Sequence, residues 1–199
     1  MIHEAMPKIA YPQIRSRGTL GGSIAHADPS AELVAASVAL DGRFRLRRQA
    51  GERWVSADEF FVGLFTTVLE PEELLVEVAI PAMPPRCGWS LLEVARRHHD
   101  FALVGVTAAV ALDNRGQCDY VRLVYFSVGD GPVEAHRAAA LLKGTVASPE
   151  LIKEAADIAG EVDTDPNSDI NASSDYRRHL VKVLGRRALT QAFERAQGG

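Results

Sequence analysis

The sequence predicts an α+β protein built in two parts, and three observations carry that prediction. "PAMPPRCG" at 81–88 crowds three prolines and a glycine into eight residues. Proline removes a backbone donor and restricts its predecessor, so regular structure stops there. Beyond this break, three apolar runs of strand length are followed by three helical patterns, the order of an α+β domain. Before it, short elements alternate with turn signals. Residues 1–81 and 89–197 are therefore expected to form the two parts, with 82–88 as the linker.

In the first part, "AELVAASVAL" (31–40) reads as a short helix leading into a buried strand. Phe44–Gln49 alternates apolar and charged residues, the period of a half-exposed strand. Ser56 followed by Glu59 makes a capping box ahead of Phe60, Phe61 and Leu64, which predicts a helix. "LLVEVAI" (74–80) is a strand closed by Pro81.

In the second part, Trp89–Ala95, Ala102–Leu112 and Tyr120–Val128 read as the three strands of an antiparallel sheet. The turn "DNRG" (113–116) makes the last two a hairpin. Helices are expected over Val133–Lys143, ended by Gly144; from Ser148-Pro149, a cap followed by proline at the first helical position; and over Ser174–Gln197. In the last of these Tyr176, Leu180, Val183, Leu184 and Ala188 form one stripe. No internal repeat is present.

Composition narrows the function. The chain has 199 residues, 47% of them hydrophobic, with a net charge of −4, which gives no reason to expect nucleic acid as a partner. The basic runs "RFRLRR" (43–48) and Arg186–Arg187 read as solvated faces. The two cysteines, Cys87 and Cys118, form no CxxC pair, so no iron–sulfur or zinc cage is expected, and no metal site. No apolar run has the roughly 18 residues of a membrane span, and no signal-peptide core opens the chain, so a cytoplasmic protein is expected.

The densest motif is "RSRGTLGGSIAHADPSAE" (15–32). Its adjacent glycines, Gly21 and Gly22, permit positive φ and close approach of backbone N–H groups to an anion, with Thr19 and Ser23 as added donors. The motif lacks GxGxxG and GK[ST], so it is neither a Rossmann fingerprint nor a P-loop; a tight bend is the plainer reading. Asp28 suits a turn before Pro29. Glu32 suits a helix N-terminus, or acceptance of hydrogen bonds from ribose hydroxyls. His26, without a second ligand at metal spacing, reads as structural. A second cluster, "ARRHHDFA" (95–102), places Arg96, Arg97, His98, His99 and Asp100 beside Phe101 at the start of a strand. It is either a polar loop or a source of cations and a stacking ring. No HExxH, GxSxG or triad-like grouping occurs, and no catalytic side chain is assigned.

Taken together, "QIRSRGTLGGSIAHADPSAEL", "DEFFVGLFTTVLEPEELLVEVAIP", "GWSLLEVARRHHDFALVGVTAAVAL" and "DINASSDYRRHLVKVLGRRAL" resemble, in order, the medium FAD-binding subunits of molybdenum hydroxylases of the carbon monoxide dehydrogenase and xanthine dehydrogenase type. The resemblance implies that residues 1–81 are the second part of a vanillyl-alcohol-oxidase-like FAD domain, and that 89–197 are its flavoprotein C-terminal domain. It implies that Thr19, Leu20, Gly21, Gly22 and Ser23 contact the FAD diphosphate, and that Glu32 meets the adenosine ribose. Asp28 is counted with them. It places Asp100 and Phe101 near the isoalloxazine ring. The implied partners are a large molybdopterin-binding subunit and a small 2Fe-2S subunit, which alone carry the other cofactors. Relatives also bear an earlier AGGxS-like loop on the same pyrophosphate, which is not found in these 199 residues. The expectation is an electron-transfer subunit. Its rival is a non-catalytic fragment that binds a partner chain but no FAD by itself.

Overall fold

The computed structural model describes residues 1–97 and 99–198; His98 of the Arg-His cluster lies outside the described residues. The first part opens with three short helices, α1 (Ile2–Ala5), α2 (Pro12–Arg15) and α3 (Leu20–His26), and then α4 (Glu32–Ala39). Strands β1 (Arg43–Arg48) and β2 (Gly51–Ser56) follow, then the single turn α5 (Ala57–Phe60) and the small hairpin β3 (Phe61–Gly63) with β4 (Thr66–Thr67). β5 (Leu74–Ala79) closes this part. β1 is the centre of an antiparallel sheet in the order β2-β1-β5.

The second part has the expected long strands, β6 (Cys87–Ala95), β7 (Ala102–Leu112) and β8 (Cys118–Phe126). A two-residue strand, β9 (Val133–Glu134), is added at the edge, giving the antiparallel order β6-β7-β8-β9. The helices are α6 (His136–Leu142), α7 (Pro149–Ile158), which runs into a π-helical turn at Ala159–Asp163, and α8 (Ser174–Gly198). The Ser148 hydroxyl caps α7 by accepting from the Leu151 N–H at 3.2 Å, and Gly144 adopts φ 77° after α6. In the turn between β7 and β8, Gly116 adopts φ 76°. The Asp113 carboxylate accepts there from the N–H groups of Arg115 and Gln117, each at 2.8 Å.

Three local expectations are corrected. Residues 31–40 hold helix α4 alone and no strand, and the next strand, β1, begins only at Arg43. A run that is apolar on every side carries no period by which to choose, and Leu33–Ala39 are all buried. The capping box at Ser56 does not form as such: the hydroxyl donates to the Glu59 carboxylate at 2.8 Å rather than accepting from the backbone. The helix ends after one turn because Phe60 and Phe61 pack edge-on against Phe44 and each other, which needs an extended backbone at Phe61. The helix expected from Val133 starts at His136, since Val133 and Glu134 pair with β8.

Period two along β8 explains how the parts join. Leu123 and Tyr125 point into the core beneath α6, α7 and α8, whereas Val124 and Phe126 point into the core shared with α4 and β1. β7 is buried along its whole length, because α8 covers one face and α4 the other. A strand covered on both faces is read as a continuous apolar run, as "ALVGVTAAVAL" is.

Arg122 on β8 fastens this junction. Its guanidinium donates to both Asp58 oxygens at 2.9 and 3.0 Å, to the Val38 carbonyl at 3.1 Å and to Glu134 at 2.5 Å. It also lies 2.9 Å from Asp41. The Tyr120 hydroxyl donates to Asp41 at 2.6 Å and reaches the Ala39 carbonyl at 3.3 Å. One cation thus gathers acids from three elements around the C-terminus of α4.

Candidate functional site

The glycine motif forms the first turn of α3, where helical φ replaces the positive φ expected of a glycine nest. Among the described residues the positive-φ glycines are Gly51, Gly116 and Gly144, and neither Gly21 nor Gly22 is among them. Thr19 is the N-cap, and its hydroxyl accepts from the Gly22 N–H at 2.9 Å. Glycine suits position 22 for a different reason from the one expected: a Cβ there would stand 2.8 Å from the Thr19 hydroxyl, which would have to shift. The N–H groups of Leu20 and Gly21, in the first turn, have no acceptor within the helix.

This turn opens onto a cavity of about 640 Å³, of the size of small-molecule sites in general. Thr19, Leu20, Gly22 and Ser23 line it, with Ile2, Ile9 and Ile14 supplying apolar wall and Arg15 and Arg17 supplying charge. Arg15 is held by the carbonyls of Ile9 and Ala10 at 3.4 and 2.9 Å. Gly21 lies at the back of the turn, 4.0 Å from Leu75 of β5 by its would-be Cβ.

The other expected residues fall elsewhere. Asp100 and Phe101 line a second cavity of about 280 Å³, together with Pro29, Ser30, Leu103, Ser127 and Arg177; Phe101 is 74% exposed. Asp28 and Glu32 line neither cavity. The Asp28 carboxylate accepts from the Ser30 N–H at 2.8 Å, so it builds the turn between the two cavities. Tyr11 and His99 meet with ring centroids 5.1 Å apart. The sequence reading missed Arg15, Arg17 and the apolar wall of α1 and α2. "RSR" (15–17), one residue ahead of the cap Thr19, was the available signal, since cations beside a helix N-terminus mark an anion site rather than a dipole match.

Glu32 opens α4 with its carboxyl pushed up to about 7, chiefly by burial and further by the nearby Glu93 and Asp28, against the pull of Lys8. A carboxyl whose folded-state pKa exceeds the unfolded 4.5 binds its proton more tightly in the folded protein. Stability is therefore intact at acidic pH and falls as pH rises through 7. Glu32→Gln is expected to stabilise the ligand-free chain by about 1–3 kcal/mol at pH 8 and to do little at pH 4.5. Denaturant midpoints at the two pH values measure this.

Two family models match the chain. "FAD binding domain in molybdopterin dehydrogenase" covers residues 1–83, and "CO dehydrogenase flavoprotein C-terminal domain" covers 89–192. The chain belongs to the family of FAD-binding medium subunits of molybdenum hydroxylases. Within this family it is 36% identical to the 6-hydroxypseudooxynicotine dehydrogenase complex subunit alpha of Paenarthrobacter nicotinovorans, over 99% of this chain and 66% of that one. Among solved structures it superposes on carbon monoxide dehydrogenase from Hydrogenophaga pseudoflava with a TM-score of 0.93 at 34% identity, covering 98% of this chain and 67% of that one. Quinoline 2-oxidoreductase from Pseudomonas putida 86 gives a TM-score of 0.88 at 37% identity, over 98% and 66%. The chain thus spans about two thirds of the length of these relatives.

The larger cavity suits the cofactor of this flavoprotein family. Its walls are mainly apolar, which suits an aromatic ring of a dinucleotide, and one end carries free first-turn N–H groups and Arg17, which suit a diphosphate. The absence of a side chain at Gly22 leaves that end open to close approach.

Proposed function

We propose that this chain is the electron-transfer subunit of a molybdenum hydroxylase complex, holding FAD with the α3 N-terminus on its diphosphate. The observation that carries this is the Thr19-capped glycine turn opening onto the large apolar cavity. Thr19, Leu20, Gly21, Gly22 and Ser23 supply the anion-binding end, where Thr19 keeps the turn rigid and the small residues keep it accessible. Glu32, half-buried and costly to ionise, would gain hydrogen-bond donors from ribose hydroxyls, which would offset its desolvation. Asp28 holds the turn that leads to it. Asp100 and Phe101, which line the smaller cavity, would stand near the isoalloxazine ring. The chemistry FAD supplies when bound is electron transfer between the 2Fe-2S clusters of a small subunit and an external acceptor. A separate large subunit carries the molybdenum cofactor and the substrate. Among the described residues no helix is long and apolar enough to cross a membrane.

The test is direct. The purified complex is expected to show a flavin absorption spectrum, and Gly22→Val is expected to abolish it. The new Cβ would displace the Thr19 hydroxyl and with it the cap that holds this turn. A control at Gly198, which faces open space, is expected to retain full colour. Full flavin retention by Gly22→Val would sink the assignment of this turn.

A further inference from the structure

The two loops assigned to the flavin come from different parts of the chain, and one buried side chain joins them. Arg177 lies in the first turns of α8 and is 7% exposed. Its Nη1 donates to the carbonyls of Leu103 and Ser127, the latter at 3.2 Å, and its Nη2 donates to Asp169 at 2.7 Å. Leu103 is two residues past Phe101, at the start of β7. Ser127 directly follows β8 and adopts φ 61°, a left-handed conformation uncommon outside glycine, asparagine and aspartate. In this conformation the Ser127 N–H donates to the Pro29 carbonyl at 2.9 Å. Pro29 in turn sits in the rigid turn made by Asp28 and Ser30. A single guanidinium therefore ties the strand that follows Phe101 to the turn that precedes Glu32. The smaller cavity lies between the tied segments and has Pro29, Ser30, Asp100, Phe101, Leu103, Ser127 and Arg177 in its wall.

We propose that Arg177 is a positioning residue that, through Ser127 and Leu103, fixes the turn Asp28–Glu32 against the loop Asp100–Phe101. What those loops do rests on the flavin reading above; that they are held together does not. A residue that only fills the core would bond within its own helix or to solvent. Arg177 instead directs its donors to two backbone carbonyls, one in β7 and one just past the end of β8, and to Asp169, which is braced by the N–H groups of Asn171 and Ala172 at 2.8 and 2.9 Å. Lysine keeps the charge but cannot span this fork with one ammonium.

The experiment is amide hydrogen exchange on the full chain in its complex, with and without flavin, comparing wild type, Arg177→Lys, Asp169→Asn and Ser127→Gly. Arg177→Lys is expected to speed exchange at Ser127 and over 28–32 and 100–103 at least tenfold, leaving the centre of β7 protected. Flavin release from the same variant is expected to quicken at least tenfold, with an altered visible circular dichroism of the bound flavin. Asp169→Asn, the milder change should Arg177→Lys not fold, gives the same local pattern at a few-fold. Ser127→Gly, which keeps both the N–H and the positive φ, behaves as wild type. Unchanged exchange at the two loops overturns the proposal. So does an increase spread evenly over both sheets, which marks a residue of stability alone. Local loosening in a complex that holds no flavin supports the positioning role and removes the flavin reading instead.

Discussion

Gly185→Ala is expected to destabilise the protein by about 2–3 kcal/mol, the upper range for overpacking, although the same change in an exposed helix interior gains about 1 kcal/mol. Gly185 lies mid-way along α8, and an added Cβ would stand 2.0 Å from the Tyr125 hydroxyl oxygen. Tyr125 is fully buried and its hydroxyl donates to the Val181 carbonyl one turn earlier in the same helix, at 3.2 Å. The ring cannot retreat, because β8 is paired on both sides and the core beneath α8 is closed. Either α8 lifts from the sheet or the phenol leaves its rotamer. Tyr125→Phe removes the offending oxygen and strands no acceptor, since the Val181 carbonyl stays within the helix ladder; it is expected to cost at most about 1 kcal/mol. The double variant is then expected to recover more than half of the loss, a coupling above about 1 kcal/mol. Thermal midpoints of the four proteins read this as a drop of about 5–10 °C for the single glycine change. Equal midpoints for Gly185→Ala and the double variant would show that the clash lies elsewhere.

Arg122→Met is expected to cost about 3–5 kcal/mol near neutral pH, the range for removing one partner of a buried ion pair. The side chain is 13% exposed and Glu134 is 10% exposed, so the pair is largely withdrawn from water. Without the guanidinium, Glu134, Asp58 and Asp41 face one another unneutralised. The pH dependence follows from Glu134, whose carboxyl is already raised by burial, against the pull of Arg122 and His136. An acid with a raised folded-state pKa is stable when protonated and loses stability as pH rises through that range. Removing Arg122 enlarges the rise. The penalty of Arg122→Met is therefore expected to be smaller at pH 5 than at pH 7.5, in urea melts at both. A pH-independent penalty would mean that lost packing of the long side chain, and not charge, is what the site loses.

Much of the fold is legible because its cues are local. The prolines at 81–88, the "DNRG" turn, the cap at Ser148-Pro149 and the 25-residue α8 each depend on a few neighbouring residues. The errors share one cause. At 31–40 and at Phe60–Phe61 the chain is buried by segments distant in sequence, and packing overrides local preference. β2 was unread for the same reason: "GERWVS" is mostly exposed and has no apolar alternation, and it is a strand because its partner β1 lies alongside in register.

The site divides along the same line. The sequence by itself determined that residues 19–23 are small, carry hydroxyls at Thr19 and Ser23 and leave the backbone approachable, because residue size and hydrogen-bonding groups are properties of the residues themselves. It also determined the family, because four motifs occur in order. Only the tertiary structure decided that the glycines act as a helix N-terminus, since the Thr19 cap is a matter of backbone angles. Only it separated Thr19–Ser23 from Asp100 and Phe101 into two cavities, and only it set Arg177 between Leu103 and Ser127, positions 74 and 50 residues away. A guanidinium reaches those carbonyls through space, and no local pattern encodes which distant carbonyls will lie within its reach.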